Sequence, residues 1–141
     1  MKTNRAANKV RISIIVPVFR EAKTIHKFLE TVQRVFPPPS HEIILVDGTP
    51  EKDTLAAVDL AQIRTAGSGK GRARQMNRGA AMARGNILLF LHADTRLPEN
   101  APELITNLLS RHPELSGGAF SLGIDDDRLL LKVIAWSANL R

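Results

Sequence analysis

The residues with the clearest potential for chemistry lie at positions 69–98, in the segment GKGRARQMNRGAAMARGNILLFLHADTRLP. Its apolar run NILLFLH ends at His92, and Asp94 follows just past the end of this predicted strand. A carboxylate in that position can hold a divalent cation whose remaining positions are shared with a diphosphate. Mg²⁺ or Mn²⁺ suits such a site, and His92, expected on the same side because strand side chains alternate, favours Mn²⁺. Taken alone, an aspartate after a strand is more often a cap or turn residue.

Basic side chains precede this strand, at Lys70, Arg72 and Arg74. They either meet a diphosphate through their charge or form a solvated basic face. The loop GSGKG that contains Lys70 is not a Walker A phosphate loop, because that motif needs Ser or Thr after the lysine and another glycine five residues earlier. Those positions hold Gly71 and Arg64.

The elements that must position these residues alternate between buried apolar runs and segments of helical period. Strands are predicted at 11–18, 42–47, 62–65, 86–92 and 117–124, and helices at 25–36, 54–61, 72–84, 98–111 and 128–140. Such alternation predicts an α/β fold with a mostly parallel sheet covered by helices on both faces. Gly85 is placed to cap the helix 72–84, whose small residues would let it lie close to the sheet. Ligands of such sheets bind beyond the carboxyl ends of the strands, where residues 17–21, 47–48 and 92–94 should converge.

Composition and charge narrow the classes of protein. The chain has 141 residues, a net charge of +6 and no cysteine, which predicts one domain with an anionic partner in a reducing, cytoplasmic compartment. Aromatic residues make up only 4%, which disfavours a nucleic-acid-binding domain because single-strand binders stack bases on aromatic rings. No apolar run approaches the length of a transmembrane helix, and no signal peptide is recognisable. Peripheral membrane contact and a homo-oligomer are left open.

The motifs taken in order resemble family 2 glycosyltransferases: SIIVPVFREAKTI, then EIILVDGTPEKDT, then GRARQMNRGAAMARG, then LLFLHADTRLP. More narrowly, GRARQMNRGA with FLHADTRLP is similar to the bacterial arsenosugar-biosynthesis-type subgroup. The resemblance covers most of residues 12–118. It implies a glycosyltransferase A-type, Rossmann-like fold that binds a nucleotide diphosphate sugar, by default a UDP-sugar, together with Mg²⁺ or Mn²⁺.

The resemblance also assigns roles to individual positions. The first nucleotide-binding loop corresponds to Pro17, Val18 and Glu21, and Asp47 corresponds to the acidic residue that contacts the base or ribose. The helix start that completes the nucleotide pocket corresponds to Arg72, Arg74 and Asn77, with Lys70 beside it. His92 and Asp94 occupy the place of the Asp-x-Asp metal motif, with Asp94 as the metal ligand.

Two departures from the family pattern affect these assignments. The second motif usually reads closer to VDGGSTDGT, so Lys52 stands where an aspartate is common. The first aspartate of the metal motif is His92, a substitution that the narrower subgroup shares. The family's catalytic base lies downstream of the GGAF-like strand at 118–120, so we expect it beyond Arg141. The last acids, at 125–127, are interpreted as a solvated turn.

The sequence therefore predicts a basic N-terminal tail, residues 1–10, and a nucleotide-sugar-binding domain, residues 11–141, that is C-terminally incomplete. The leading hypothesis is a metal-dependent, inverting transfer of a sugar from a nucleotide diphosphate sugar to an unknown acceptor. The alternatives are a catalytically incomplete nucleotide-diphosphate-binding module, from a truncated or split transferase, and, with less support, a nucleotidyltransferase.

Overall fold

A computed structural model describes residues 12–59, 61–121 and 123. The chain divides into two units, residues 1–104 and 105–141. The first contains a four-stranded parallel sheet of order β3-β2-β1-β4. The strands are β1 (Ile12–Val18), β2 (His41–Asp47), β3 (Ile63–Gly67) and β4 (Ile87–Phe90); the helices are α1 (Ile25–Val35), α2 (Asp53–Ala56), α3 (Arg72–Met82) and α4 (Ala101–Arg111).

Strand β1 is one of the two central strands of the sheet, and every one of its residues is buried. It pairs with β2 along its whole length and with β4 as far as Ile15, which lies opposite Phe90. Pro17, which has no N–H to donate, comes after the pairing with β4 has ended. The predicted α/β fold with a mostly parallel sheet is confirmed.

Helix α1 buries one face, on which Val35 joins four of the residues whose helical spacing predicted the helix. Ile25, Phe28, Leu29, Val32 and Val35 are buried. The carbonyl of Glu21 accepts hydrogen bonds from the N–H groups of Thr24 and Ile25, both 3.0 Å long, which start the helix. Phe36 follows the last turn, and the prolines after it prevent continuation.

Helix α3 lies close to the sheet because of a glycine rather than its alanines. A Cβ atom on Gly79 would collide with Cγ2 of Ile15 and lie 3.3 Å from Cγ2 of Val46. Ala73 and Ala81 are instead exposed.

Two predicted helices are shorter than expected. Helix α2 has four residues instead of the predicted 54–61, because Ala57 and Val58 bond to the carbonyls of Thr54 and Leu55 in a tightened turn that ends it. Helix α3 ends at Met82, so the prediction that Gly85 caps it at Arg84 was wrong.

The physical reason for the early end of α3 is a set of polar contacts at the amino ends of the strands. Arg64 binds the carbonyl of Met82 at 2.6 Å, and Glu42 accepts a hydrogen bond from the backbone N–H of Arg84 at 2.6 Å. The N–H of Gly85 donates to Ser13 Oγ at 2.9 Å. These contacts replace helical hydrogen bonds and draw the chain out of the helix.

Strand β4 was predicted to be buried on both faces, and this was wrong. Leu88 and Phe90 are 43% and 46% exposed, because β4 is an edge strand of the described sheet. The prediction that the strand continues to His92 was also wrong, so strand alternation does not relate the His92 side chain to that of Asp94. The strand ends at Phe90, and residues 92–95 form a turn in which Thr95 N–H donates to the His92 carbonyl.

Helix α4 begins at Ala101, three residues later than predicted, after a turn in which Ala101 N–H bonds the Pro98 carbonyl. Its predicted apolar face is largely exposed at Leu104 and Leu108. The described residues of the predicted strand 117–124 form no strand. The predicted tail 1–10, the acidic run 125–127 and the helix 128–140 lie outside the described residues. None of the helices in the described ranges is long and apolar enough to cross a membrane.

Candidate functional site

The carboxyl edge of the sheet brings together the chain segments that the sequence analysis singled out. All four strands run parallel, and β1 lies between β2 and β4. Residues 17–21, 47–48 and 92–94 therefore lie at one edge, as predicted. This is the edge at which open parallel sheets bind their ligands.

Asp47, the last residue of β2, is the most unusual side chain at this edge. It is fully buried, and its Oδ1 accepts hydrogen bonds from Thr49, at 2.8 Å from the backbone N–H and 2.6 Å from the hydroxyl. Its Oδ2 is buried and accepts no hydrogen bond from any described residue. A carboxylate oxygen without a partner is costly to bury, so a hydrogen-bond donor from outside the described residues would stabilise this atom.

A short polar network links Asp47 to the loop after β1. The Thr49 hydroxyl, which has a single proton, also lies 3.1 Å from Asp53 Oδ1, and that oxygen accepts the backbone N–H of Thr54 at 2.9 Å. The buried Thr54 hydroxyl in turn accepts the backbone N–H of Glu21 at 3.0 Å. The loops after β1 and β2 are thus held to each other.

The predicted first nucleotide-binding loop consists of two buried residues and one partly exposed residue. Pro17 and Val18 are the last two residues of β1 and are buried, so they offer backbone rather than side-chain groups. The Glu21 carboxylate accepts the Thr24 hydroxyl at 3.0 Å, and its carbonyl starts α1. Glu21 therefore shapes the loop whether or not it meets a ligand.

Basic side chains surround this edge, and one of their contacts was not predicted. The Phe19 ring has two cations near it: the guanidinium carbon of Arg20 is 5.5 Å from its centroid and the Lys70 ammonium 5.2 Å. Arg20 has a left-handed backbone, with φ of 60°. The contact brings the loop before α3 against the loop after β1, which no spacing in the sequence indicates.

Lys52, the departure from the family pattern, also lies at this edge. Its backbone is left-handed, with φ of 53°, and its side chain lies over Gly67, where a Cβ atom would be 3.0 Å from Nζ. Gly67 is paired with Asp47, and paired residues of parallel strands point to the same face. Lys52 therefore places a positive charge on the same face of the sheet as the Asp47 carboxylate.

The start of α3 carries Arg72 and Arg74, both exposed, and no acidic residue lies in its first turn. Cations at a helix amino terminus oppose the helix dipole, so an anion bound there would be stabilised by both. Arg74 folds back toward the preceding loop, since its Nη1 would be 3.4 Å from a Cβ on Gly69. Asn77 is exposed one turn further on, and its side chain forms no hydrogen bond with the described part of the chain.

Asp94 is exposed on the turn after β4, and among the described residues its carboxylate accepts a hydrogen bond from the Thr95 hydroxyl at 3.4 Å. His92 is half-buried. No three His, Asp or Glu side chains within the described ranges form a metal-ligating group. A divalent cation shared with a diphosphate needs only one or two carboxylates, so the donor set at Asp94 fits a cation held largely by substrate oxygens.

A second polar cluster lies at the opposite, amino edge of the sheet. Glu42 accepts the Ser13 hydroxyl and the Arg84 N–H, each at 2.6 Å, and pairs with Arg64 at 2.9 Å. Burial raises the pKa of Glu42, but these hydrogen bonds and the Arg64 charge outweigh it and hold the pKa below its usual value of 4.5. A groove of about 300 Å³ near His26, Glu30 and Gln62 is likewise outside the carboxyl edge.

Comparisons with known proteins agree with this arrangement. The family model described as glycosyl transferase family 2 matches residues 13–136. A curated relative, dodecaprenyl-phosphate galacturonate synthase of Rhizobium johnstonii, is 24% identical over 97% of this chain. The chain spans 44% of that relative's length.

Solved structures show the same fold. A mannosyltransferase from Pyrobaculum calidifontis, PcManGT, determined in complex with GDP-Man and Mn²⁺, superposes with a TM-score of 0.62 at 22% identity, covering 71% of this chain and 32% of that one. A mycobacterial protein superposes with a TM-score of 0.51 at 22% identity, covering 80% and 38%.

The parallel sheet with its polar carboxyl edge defines a fold of the glycosyltransferase A type. With a family model matched over most of its length, the chain belongs to glycosyl transferase family 2.

Proposed function

We propose that residues 11–141 form the donor-binding domain of a transferase that moves a sugar from a nucleotide diphosphate sugar to an acceptor, with inversion and with a divalent cation at Asp94. The observation that carries the proposal is the unpartnered Oδ2 of Asp47 at the carboxyl edge. An N–H or O–H of a bound nucleoside would supply its missing hydrogen bond.

The diphosphate would lie among the basic side chains of the same edge. Lys70, Arg72 and Arg74 are exposed there, and Lys52 adds a charge on the Asp47 face. When bound, the cation stabilises the negative charge that develops on the departing diphosphate. The backbone groups of Pro17 and Val18, and Glu21 through its loop, would shape the nucleoside side of the site. His92 and Asn77 would contact the bound nucleotide sugar at the borders of the site.

An inverting transfer also requires a base that removes the proton of the acceptor hydroxyl. None of the described residues is assigned that role. The name of the curated relative supports dodecaprenyl phosphate as an acceptor to test.

The donor is taken as a UDP-sugar, as the family resemblance implies, while the GDP-Man and Mn²⁺ of the mannosyltransferase support testing GDP and Mn²⁺ beside UDP and Mg²⁺. Membership of the arsenosugar-biosynthesis-type subgroup rests on GRARQMNRGA and FLHADTRLP. A cytoplasmic location rests on the absence of cysteine.

Titration calorimetry of the 141-residue chain with UDP and GDP, in Mn²⁺ and in EDTA, tests the donor site. We expect Asp94→Asn to abolish the metal-dependent part of binding. Asp47→Asn should weaken binding with or without metal by about 10- to 100-fold, since a hydrogen bond to a charged group contributes about 1.5–3 kcal/mol.

Asp59→Asn, a change of the same kind on an exposed loop, is the matched control and should bind like the unmodified chain. Unchanged metal-dependent binding by Asp94→Asn would remove the cation assignment. Absence of binding to both nucleotides by a folded chain would refute the donor site itself. Sugar transfer by the chain alone would exclude the incomplete-module alternative.

A further inference from the structure

Gln75, in the first turn of α3, is a buried polar side chain to which no motif of the sequence assigned a role. It is only 3% exposed. Its Nε2 lies 2.7 Å from the carbonyl oxygen of Val18 and 2.9 Å from that of Val46. A single amide group therefore joins α3 to both central strands.

The orientation of this amide follows from its partners. Both are carbonyl oxygens, which only accept hydrogen bonds, so both must face the NH₂ group, the one part of the side chain that has two donors. A flipped amide would set its oxygen against two acceptors. Gln75 thus uses both of its protons on main-chain oxygens at the carboxyl edge.

The two carbonyls belong to the residues from which the site's loops depart. Val18 is the last residue of β1, and its carbonyl also accepts the N–H of Gly48 at 3.1 Å. Val46 directly precedes Asp47. A Cβ atom on Gly48 would lie only 2.9–3.1 Å from the Gln75 amide atoms, so the backbone of the β2 loop packs directly on this side chain.

The same helix is tied to the sheet at its other end by a chemically different contact. Glu42 and Arg64 hold the residues after Met82 at the amino edge. Helix α3 is therefore held by polar groups at both ends, but only the Gln75 contact lies at the edge that carries Asp47. This difference allows a stability effect to be separated from an effect on binding.

We infer that Gln75 is a positioning residue for the nucleotide diphosphate: it fixes the start of α3, with Arg72 and Arg74, relative to Asp47. The inference rests on the proposed function. Gln75 does not touch the ligand in this scheme. It fixes the distance between Asp47, which would bind the nucleoside, and the two arginines, which would bind the diphosphate. Its loss should therefore lower the diphosphate's contribution to affinity and leave the nucleoside's contribution largely unchanged.

The test compares UDP with uridine in the 141-residue chain, with Gln75→Met as the variant and Glu42→Gln as the matched control. Methionine has nearly the same length but donates no hydrogen bond. We expect Gln75→Met to lower the affinity for UDP about tenfold while the affinity for uridine changes little. Glu42→Gln also loosens α3 but should leave the ratio of the two affinities unchanged.

A merely structural role would lower both affinities by the same factor, so an unchanged UDP-to-uridine ratio in Gln75→Met would overturn the inference. If Gln75→Met does not fold, Gly48→Ala decides, because its methyl group displaces the amide while all charged groups remain. Gly48→Ala should also lower the ratio of the UDP affinity to the uridine affinity. A ratio equal to that of the unmodified chain would overturn the inference. Failure of the unmodified chain to bind UDP or GDP would instead refute the proposed function.

Discussion

Glu42 shows how much a single carboxylate does outside the site. Its pKa is lowered in the folded chain, so the folded state favours the ionised form. The stabilisation is therefore fully present above the usual glutamate pKa of 4.5 and is lost as the pH falls through the lower folded value. Glu42→Gln should cost about 2 kcal/mol at neutral pH, as expected when a hydrogen-bonded charged group is removed.

Urea unfolding measured between neutral and acidic pH checks this prediction. The free energy of unfolding of Glu42→Gln should fall less steeply toward acid than that of the unmodified chain. Glu30→Gln, at an exposed position of α1, should leave the slope unchanged. Equal slopes for the unmodified chain and Glu42→Gln would show that this carboxylate is not linked to folding.

At the scale of residues, the sequence indicated which residues have the chemistry of a site better than it indicated which side chains are in contact. Asp47 was recognisable because it ends a predicted strand and corresponds to the acidic residue of the second family motif. Gln75 was not, because a glutamine in a basic helix looks solvated until the carbonyls of Val18 and Val46 are known to lie beside it. The same applies to Phe19 and Lys70, which are 51 positions apart and meet only through the fold. The roles of the ten predicted site residues remain predictions.

At the scale of elements, the packing of α3 depends on the absence of one methyl group. Gly79→Ala would place a Cβ against Ile15, which is fully buried in the central strand and cannot turn away. Overpacking costs about 1–3 kcal/mol, while replacing a helical glycine by alanine returns about 1 kcal/mol. We expect a net loss of stability in thermal or urea unfolding.

The exposed Ala81 of the same helix supplies the control for this exchange. Ala81→Gly should cost about 1 kcal/mol through helix propensity alone. If Gly79→Ala instead stabilises the chain by a similar amount, the close approach of α3 to Ile15 does not exist in solution.

Elements with a strong local pattern were predicted well. Strand β1 and helix α1 were confirmed because a continuous β-branched run and a clear helical spacing each specify burial locally. The ends of α2 and α3 and the exposure of β4 were predicted wrongly. The end of α3 is decided by Glu42 and Arg64, which belong to β2 and β3, and the exposure of β4 is decided by its place at the sheet edge. Neither is present in the local sequence.

At the scale of the whole molecule, part of the positive charge behind the net value of +6 is concentrated in one region. Exposed cations gather at the carboxyl edge: Arg20, Lys52, Lys70, Arg72 and Arg74. Their attraction for a diphosphate is screened as the Debye length falls from about 10 Å at 0.1 M salt to about 3 Å at 1 M. The affinity for UDP should therefore weaken several-fold over that range, whereas the affinity for uncharged uridine should change little.

Parallel titrations of uridine, UMP and UDP at several salt concentrations measure this dependence. The decrease in affinity with increasing salt concentration should become steeper as the number of phosphate groups rises. The same slope for all three ligands would mean that the basic cluster does not face the bound nucleotide. The net charge can be read from the sequence. The clustering of cations at one edge cannot, because it depends on the parallel arrangement of the strands.

The contact between Gln75 and main-chain carbonyls has a consequence for engineering. Because the amide recognises backbone oxygens, the identity of the side chains at Val18 and Val46 does not enter the contact. The loops that leave these strands can therefore be exchanged between homologues without redesigning the helix that supports them, provided that Gly48 is kept. The carboxyl edge therefore provides a fixed backbone framework onto which loops that select other sugar donors can be grafted.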